Sequence, residues 1–527
     1  MNNLSFPKFL NRIGFWFPIL LASVFYFNDD SFFYHIYGNI LLAITILLFL
    51  NSINKKRLSL VLEAIGVFAF NIIMFIQITH YYLFNDHIRS STFFILFDSN
   101  SNESTEFLSM YIDFNIIVIL LLLLFTSLAS IIFKIKNIKK SRNFKLKVIS
   151  LLIIVISLLN YKVREHTFPH IFYRAILEYQ NDKKMFNEVT FDKYGGEFSE
   201  VIHASSTSNE TYVLIIGEST ARSHMSLYDY SRNTNPKLNK IKDELIVFKD
   251  VIAPHTHTIS SLEKVLTLAS HSTPNKKYDG TLIQLFNKAG FKTYWLSNQK
   301  PMGINETTTT IISKSCDEQI FVNTTDKSKD SNIFSPFEKI LKQENKKKFI
   351  IIHLMGTHGA YSDRYPNSFQ HFKTKPVTQF NHSKAHETIN EYDNANLYND
   401  FVVNKIIEEI KMTNSKSFAL YFSDHGEDVY ETIDIACHTE SKGTKPMYDI
   451  PFILWRSNKF KSDDNKFKFD ISRKYSSENL LYTLSELSGV SFKEFEASKS
   501  LVNKNFVERE RPILNKIDYD IYFKKNK

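Results

Sequence analysis

A chain of 527 residues is too long for one ordinary domain, so we expect at least two. The net charge of +9 would suit a nucleic-acid partner, but the basic residues lie largely between long apolar runs, which indicates a membrane and no nucleic acid. Up to about residue 161 the sequence is mainly apolar, whereas after about residue 200 it has the composition of a soluble domain.

Five apolar runs in the first part of the chain are candidate membrane spans, because a spanning helix needs about 20 apolar residues. They cover residues 9–27, 37–50, 60–84, 114–133 and 144–161. The fourth, with its Ile-Leu core, is the clearest, and the second and fifth are short. The first run resembles a secretory signal peptide, but further spans follow it, so we expect it to remain as an anchor.

Loop charges predict the orientation of these spans. Lys8 and Arg12 precede the first run, and the loop 28–36 has no Lys or Arg. The next loop is basic, the third loop has Arg89 as its one basic residue, and the fourth is strongly basic. Because Lys and Arg concentrate on the cytoplasmic side, the amino terminus is predicted inside and the large carboxyl-terminal region outside.

Three parts of the chain are therefore expected. A transmembrane domain covers residues 1–161 and includes an external loop at 85–113. Interfacial helices and a linker cover 162–205, with Gly195-Gly196 as the break. An external soluble domain covers 206–527. The two cysteines, Cys316 and Cys437, could pair outside the cytoplasm, but we favour two separate thiols.

Strand-like and helix-like segments alternate in the soluble region. The predicted strands are 212–216, 246–251, 292–296, 349–353, 418–422 and 451–455, and the predicted helices are 261–269, 281–289, 394–412 and 477–488. This alternation predicts an α/β domain with a mostly parallel sheet covered on both faces.

Metal-binding side chains follow several of these strands. In an open α/β sheet, ligands bind at the carboxyl ends of the strands. The side chains expected there are Glu218, Asn298, Lys300, His358, Asp424, His425 and, just beyond, His438. Each has an ordinary explanation by itself, such as helix capping, but the whole set predicts one metal ion and one phosphate. Zn²⁺ suits a mixed shell of carboxylates and imidazoles.

A nucleophile for such a site is found after the second strand. Thr258 precedes a helix start at Ser260-Ser261, where backbone N–H groups and the helix dipole favour an anionic phosphate. Coordination to the metal would lower the pKa of its hydroxyl. Thr256 and Thr220 are the rival nucleophiles, with capping as their ordinary role. We regard His255 and His257 as loop residues.

Several motifs resemble those of a known family. They read IGESTARSHMSLYDYSRNTNP at 216–236, HLMGTHG at 353–359, YDNANLYND at 392–400, SDHGEDVY at 423–430 and PMYDIPF at 446–452. In these stretches the chain resembles the bacterial phosphoethanolamine transferases, which are sulfatase-like membrane enzymes of the alkaline phosphatase superfamily. The sequences of these motifs most resemble those of the branch that modifies the heptose of the lipopolysaccharide core, rather than those of the lipid A branch.

The resemblance implies a role for each matched residue. Glu218, Asp424 and His425 match zinc ligands, and Thr258 matches the nucleophile and fourth ligand. His358 and His438 match histidines that hold the phosphate or a second zinc ion and protonate a leaving group. The implied substrate-binding residues are Asn100, Glu103, Asn298, Lys300, His358 and His438. One departure is that the lipid A branch flanks its nucleophile with disulfides, whereas Thr258 has no cysteine nearby. The Cys/Ser-x-Pro-x-Arg segment of true sulfatases is also absent there.

The implied enzyme is a multi-pass protein of the bacterial inner membrane with its catalytic domain in the periplasm. It would act as a monomer, transferring phosphoethanolamine from phosphatidylethanolamine to lipopolysaccharide through a phospho-threonine intermediate. Two alternatives stay open. One is a glycerol-phosphate transferase of the same superfamily. The other is a receptor or transporter, for which charges inside the spans would be the sign. The third run has Glu63 and His80, near its two ends.

Overall fold

The structure is a computed structural model, and it divides into two compact units, Met1–Met185 and Phe186–Lys527. It describes residues 12–27, 29, 31–51, 53, 56–84, 87–88, 92–93, 112–136, 148–149, 152, 160–188, 192–203, 209–299, 308–323, 328–440, 443–514 and 516–525. The domain boundaries expected at 161 and 205 stay predictions.

Long apolar helices form the first unit. They are α1 (Ile13–Phe25), α2 (Phe32–Asn51), α3 (Lys56–Phe84) and α4 (Phe114–Lys136), followed by α5 (Tyr161–Glu165) and α6 (Phe168–Glu188). Among the described residues, three helices are long and apolar enough to cross a membrane, namely α2, α3 and α4. The second run is therefore longer than the sequence suggested, because the helix begins at Phe32 instead of Tyr37.

The other two predicted spans are less fully described. Helix α1 is apolar but has 13 residues, and the run 144–161 lies almost wholly outside the described residues, so the count of five stays a prediction. Side chains from α1 to α4, such as Phe15, Ala43, Met74 and Leu123, share one buried core. Glu63 of α3 forms an ion pair of 2.6 Å with Lys134 of α4, so this charge within the helices is neutralised.

A seven-stranded sheet organises the second unit. Its strands are β1 (Glu210–Gly217), β2 (Leu245–Val247), β3 (Lys292–Ser297), β4 (Glu318–Phe321), β5 (Lys347–His353), β6 (Lys416–Ser423) and β7 (Phe452–Arg456). The spatial order is β2-β7-β6-β1-β5-β3-β4. Strand β7 is antiparallel to both of its neighbours, and the remaining pairs are parallel. The sheet is therefore mixed but mostly parallel, which confirms the predicted mostly parallel arrangement.

Both faces of this sheet are buried. Strand β1 reads as a continuous apolar run, and its alternate residues enter two different cores. Leu214 and Ile216 join one core, whereas Val213 and Ile215 join the core on the opposite face. Because both faces are packed, the polar residues of the central strands are confined to the strand ends. This places the chemistry at one edge of the sheet.

Helices pack against the two faces of the sheet or lie beside it. They are α7 (Pro236–Lys240), α8 (Thr258–Leu266), α9 (Leu282–Lys288), α10 (Thr308–Ser313), α11 (Phe334–Lys342), α12 (Ser383–Met412), α13 (Lys445–Tyr448), α14 (Asn458–Lys461), α15 (Leu480–Leu487) and α16 (Tyr519–Lys525). Among the described residues, two-residue strands form four further small ladders, 202–203 with 490–491, 428–429 with 436–437, 251–252 with 475–476, and 512–513 with 517–518.

Several sequence expectations for this unit were wrong in detail, including the helix predicted at 261–269, which is α8 and begins at Thr258. Strand β4 was not expected, because its residues EQIF form a short, half-exposed edge strand with little apolar signal. Helix α12 begins at Ser383 instead of 394, capped by the side chain of His382, which accepts a hydrogen bond from the amide of Ala385. Cys316 and Cys437 are buried, free thiols.

The start of α9 offers a test of the local fold. Thr281 accepts a hydrogen bond from the amide of Gln284, whose side chain accepts one from the amide of Thr281, forming a capping box. We expect Thr281→Ala to lower the free energy of unfolding by about 1 kcal/mol, since an orphan amide loses its partner. Thermal unfolding of the full chain in detergent measures this. Thr281→Ser keeps the hydroxyl and should melt close to wild type; equal melting of the Ala and Ser variants would contradict the assignment.

Candidate metal centre and active site

The register of two parallel strands brings two carboxylates together. Gly217 at the end of β1 pairs with Ser423 at the end of β6, so the next residues, Glu218 and Asp424, leave the sheet side by side. Burial is nearly complete, with Glu218 at 1% exposure and Asp424 at 0%. The central strand of the sheet therefore positions one half of the candidate site, and its neighbour positions the other.

Glu218, Asp424 and His425 form a cluster whose ligand atoms all lie within 4.8 Å of one another. His425 uses Nδ1 to donate to the carbonyl of Gly426 at 2.8 Å, which turns Nε2 towards Glu218 Oε1, 3.2 Å away. Asp424 Oδ2 is buried and has no hydrogen-bond partner in the part of the chain described. An orphan carboxylate oxygen and an imidazole oriented by a backbone carbonyl are what a divalent cation requires.

The electrostatics of this cluster favour a cation. Burial raises the pKa of Asp424 well above its usual range, and the charge of Glu218 raises it further. Burial opposes the charged form of His425 too, but the two carboxylates outweigh it and raise the pKa of His425 to about 10. For Glu218, the hydrogen bond and charge of His425 outweigh burial and lower the pKa. In the metal-free cluster, bound protons therefore neutralise the negative charge of the carboxylates. A divalent cation would do the same when it is bound.

Two glycines let loops approach these ligands. Gly356 has a φ of +53°, and a Cβ there would lie 2.7 Å from the amide nitrogen of Glu218. A Cβ on Gly426 would lie 2.0 Å from the carbonyl oxygen of Pro446. Both contacts are far below van der Waals distance, so any side chain would displace the loop that supports a ligand. Asp330 fixes the first loop by accepting the amide hydrogens of Met355 and Gly356.

Thr258 is the first residue of α8, and its hydroxyl faces the cluster. Its Oγ1 lies 3.1 and 3.2 Å from the two carboxylate oxygens of Glu218 and 3.4 Å from His425 Nε2. Ser261, one turn later, donates to the carbonyl of Asp424 at 2.5 Å and ties the helix to β6. The rivals point elsewhere: Thr220 Oγ1 contacts the backbone carbonyl of Glu218 and Thr357, and Thr256 donates to Glu440.

Glu440 holds the loop that precedes Thr258, and sequence reasoning missed it. Its Oε1 lies 2.6 Å from His255 Nδ1, and its Oε2 accepts both the amide and the hydroxyl of Thr256 at 3.2 Å. His255 in turn lies 2.5 Å from Lys264 Nζ of α8. His255 is therefore more than an ordinary loop residue. The signal was weak, because Glu440 sits in a polar stretch and follows none of the strands that the sequence predicted.

Two further histidines surround the cluster. His438 contacts Glu427 at 2.8 Å, and its ring centroid lies 4.4 Å from that of His425. Burial lowers the pKa of His358 to about 4 and that of His438 to about 3, so both imidazoles are neutral at pH 7. Burial also raises the pKa of Glu427 to about 8. Glu427 belongs to the SDHGEDVY motif, but only its neighbours had been singled out.

The remaining expected substrate residues are placed differently. Asn298 is buried with its side chain committed to Asp330 at 2.8 Å and Ser328 at 2.6 Å, and its substrate contact stays a prediction. Asn100, Glu103 and Lys300 lie outside the described residues. Next to Asn298, Gln299 donates to Glu218 Oε2 at 3.1 Å. An amide at the same strand end was the available signal for Gln299, but the sequence does not say which of two adjacent amides faces the site.

Known proteins are similar to this chain over the part that contains the site. The sulfatase family model matches residues 210–490. The phosphoethanolamine transferase EptC of Escherichia coli K12 is 32% identical over 507 residues, covering 88% of this chain and 87% of that one. The phosphoethanolamine transferase CptA of Salmonella typhimurium is 32% identical and covers 84% and 83%. The chain belongs to the phosphoethanolamine transferases of the sulfatase family. This membership favours the enzyme over a receptor or transporter.

Solved structures of related transferases are similar to this chain as well. The periplasmic domain of EptC from Escherichia coli, crystallised in complex with Zn, is 37% identical with a TM-score of 0.60, over 62% of this chain and 97% of that one. The integral membrane transferase EptA of Neisseria meningitidis has a TM-score of 0.70 at 20% identity, over 94% and 97%, and shares the fold. Like these relatives, the transferase is an integral membrane protein with a carboxyl-terminal periplasmic catalytic domain.

The anchoring role of Glu440 can be tested by substitution. We expect Glu440→Ala to reduce kcat at least about tenfold with an unchanged metal content, because the Thr258 loop loses three contacts while the metal ligands stay in place. Glu440→Gln keeps an acceptor and should lose less. The exposed Glu508 provides a matched control in Glu508→Gln. Steady-state transfer assays and metal analysis measure both quantities; full activity of Glu440→Ala would contradict the role.

Proposed function

We propose that this transferase moves phosphoethanolamine from phosphatidylethanolamine to lipopolysaccharide, at a core heptose rather than lipid A, through a phospho-threonine at Thr258. The observation that carries this proposal is the contact of the half-buried Thr258 hydroxyl with the buried side chains of Glu218 and His425. The lipopolysaccharide acceptor rests on the motifs at 216–236 and 423–430, whose wording resembles the core-modifying branch.

Zn²⁺ is the cation we assign to the cluster. Glu218, Asp424 and His425 would hold it, with Thr258 as the fourth ligand, and the donor set of two carboxylates, one imidazole and one hydroxyl suits it. When bound, the ion lowers the pKa of a coordinated hydroxyl and neutralises charge that develops on phosphate oxygens. A second ion near His358 and His438 is an option that the resemblance leaves open.

The chain's own residues then divide the transfer into two displacements. Thr258 Oγ1 bonds to phosphorus as the bond to the diacylglycerol oxygen breaks, and the hydroxyl proton leaves with diacylglycerol. In the second step the acceptor hydroxyl bonds to phosphorus and the bond to Thr258 breaks. His358 and His438 would pass the acceptor's proton to Thr258 as the bond to Thr258 breaks, the role that the resemblance implies for these two histidines. Asn298 and Lys300 would add contacts to the phosphoryl group.

The membrane part would present the lipid donor. We infer five spans over 1–161, a periplasmic loop at 85–113, interfacial helices with a linker over 162–205 and the catalytic domain over 206–527. The alternation of basic and uncharged loops supports this arrangement. Asn100 and Glu103, in the external loop, would bind the ethanolamine ammonium, since a carboxylate and an amide oxygen both accept from it.

Thr258 can be tested directly by mass. We expect Thr258→Ala to lose transfer by at least about a thousandfold, because the nucleophile is gone, and to show no phosphoethanolamine adduct after incubation with phosphatidylethanolamine. Thr258→Ser should retain part of the activity and form the adduct. Intact-mass and peptide mapping of the full chain in detergent measure this. An adduct mapped to Thr256 or Thr220, or undiminished transfer by Thr258→Ala, would refute the assignment.

Zinc affinity should depend on pH in a defined direction. In the metal-free cluster the pKa of His425 is about 10, so between pH 6 and 8 it carries a proton that zinc must displace. The apparent affinity should therefore rise at least about tenfold for each pH unit over this window, and more steeply where the raised pKa of Asp424 keeps that carboxyl protonated as well. Competition titrations with a zinc chelator measure the slope, and calorimetry in two buffers of different ionisation heat counts the released protons. A flat profile would show that His425 is not a ligand.

A further inference from the structure

A second cluster of metal-binding side chains lies in the membrane unit. Asp29, His35 and His87 bring one ligand atom each to within 4.8 Å of one another. We propose that these three residues hold a divalent transition-metal ion, Zn²⁺ by the chemistry of the donors, separate from the catalytic centre. The proposal rests on the membrane unit alone and is independent of the function assigned to Thr258.

His35 is oriented as a metal ligand is oriented. It is 2% exposed, and its Nδ1 lies 2.9 Å from the backbone carbonyl of His166. A carbonyl only accepts, so Nδ1 carries the hydrogen, and the lone pair of Nε2 faces Asp29 Oδ1 at 3.5 Å. Two acceptors facing each other need a positive charge between them. A ligating histidine whose other nitrogen donates to a backbone carbonyl is the usual arrangement around zinc.

His87 completes the set without a hydrogen bond of its own. Its Nε2 lies 3.3 Å from Asp29 Oδ2, but neither ring nitrogen has a hydrogen-bond partner among the described residues, and both atoms are buried. The ring centroids of His35 and His87 are 4.1 Å apart, so protonating both imidazoles would place two positive charges in contact. A single divalent cation would instead accept a lone pair from each neutral ring.

Asp29 is held towards the cluster by its neighbours. The amide of Ser31 donates to its Oδ1 at 2.8 Å, and the hydroxyl of Tyr81 donates to its Oδ2 at 3.3 Å. These two hydrogen bonds fix the direction of the carboxylate, which therefore does not depend on the metal.

The three ligands come from separate segments that the topology places on one side of the membrane. Asp29 follows α1, His35 lies at the beginning of α2, and His87 follows α3. The loop charges independently assign these ends to the external side. Two imidazoles and one carboxylate leave the fourth position of a tetrahedral zinc ion for water or a phosphate oxygen. Such an ion would tie the external ends of three helices together.

Metal analysis of the full chain in detergent tests the proposal. The protein is stripped with a chelator, reloaded with Zn²⁺, passed over a metal-binding resin and analysed by mass spectrometry of the elements. We expect His87→Ala to hold about one zinc ion fewer per chain than wild type, and His87→Cys, which supplies another zinc ligand, to keep the ion. His80→Ala changes a histidine near the end of α3, the helix that precedes His87, and should keep the wild-type zinc content.

A second measurement separates this site from the catalytic one. In Glu218→Gln, which impairs the catalytic cluster, added Co²⁺ should still give a visible absorption band with about one equivalent, and adding His87→Ala should abolish it. The cobalt band in Glu218→Gln reports metal binding with all three proposed ligands intact, so it does not depend on the stability of the His87→Ala variant. Equal zinc contents of wild type and His87→Ala, or no cobalt band in Glu218→Gln, would overturn the proposal and leave a proton shared between Asp29 and the histidines.

Discussion

Repulsion between two buried carboxylates is the constraint around which the catalytic unit is built. The register of β1 against β6 places Glu218 and Asp424 side by side, both almost fully buried. Two like charges about 4 Å apart repel by about 4 kcal/mol at an effective dielectric constant of about 20. Nothing in the sheet can relieve this, because both residues follow directly from hydrogen-bonded strands. The arrangement persists only with a proton or a cation between them, and His425 and Thr258 complete a shell suited to the cation.

The surrounding loops have the shape that this shell requires. Gly356 passes so close to the backbone of Glu218 that a side chain would collide with it, and Asp330 holds that loop through two amide hydrogen bonds. On the other side, Gly426 fits against Pro446 and lets its carbonyl accept from His425. Glu218 and His425 are thus each supported by a backbone contact, which fixes their direction before any ion arrives and lowers the reorganisation needed on binding.

The sequence predicted those parts of the molecule in which local pattern and chemistry agree. Strand β1 combines a continuous apolar run with a polar end, so both its burial and the position of Glu218 could be predicted. Strand β4 could not be, because an edge strand lacks a strong apolar pattern. Gln299 and Glu440 were not predicted for a different reason. Gln299 contacts Glu218 and Glu440 contacts Thr256 only because distant loops fold back towards them, and no short-range sequence pattern indicates such contacts.

The loop before the nucleophile shows how a fold can replace a covalent restraint with polar contacts. No cysteine lies near Thr258, and both cysteines of the chain are free. Instead, Glu440 binds the side chain of His255 and both the amide and the hydroxyl of Thr256, in a setting where burial strengthens each charge-assisted bond. Lys264 extends this network from α8, the helix that begins at Thr258. The nucleophile is therefore positioned from both directions along the chain, by the loop that precedes it and by the helix that follows. Since neither restraint is a disulfide, its geometry does not depend on the redox state of the compartment.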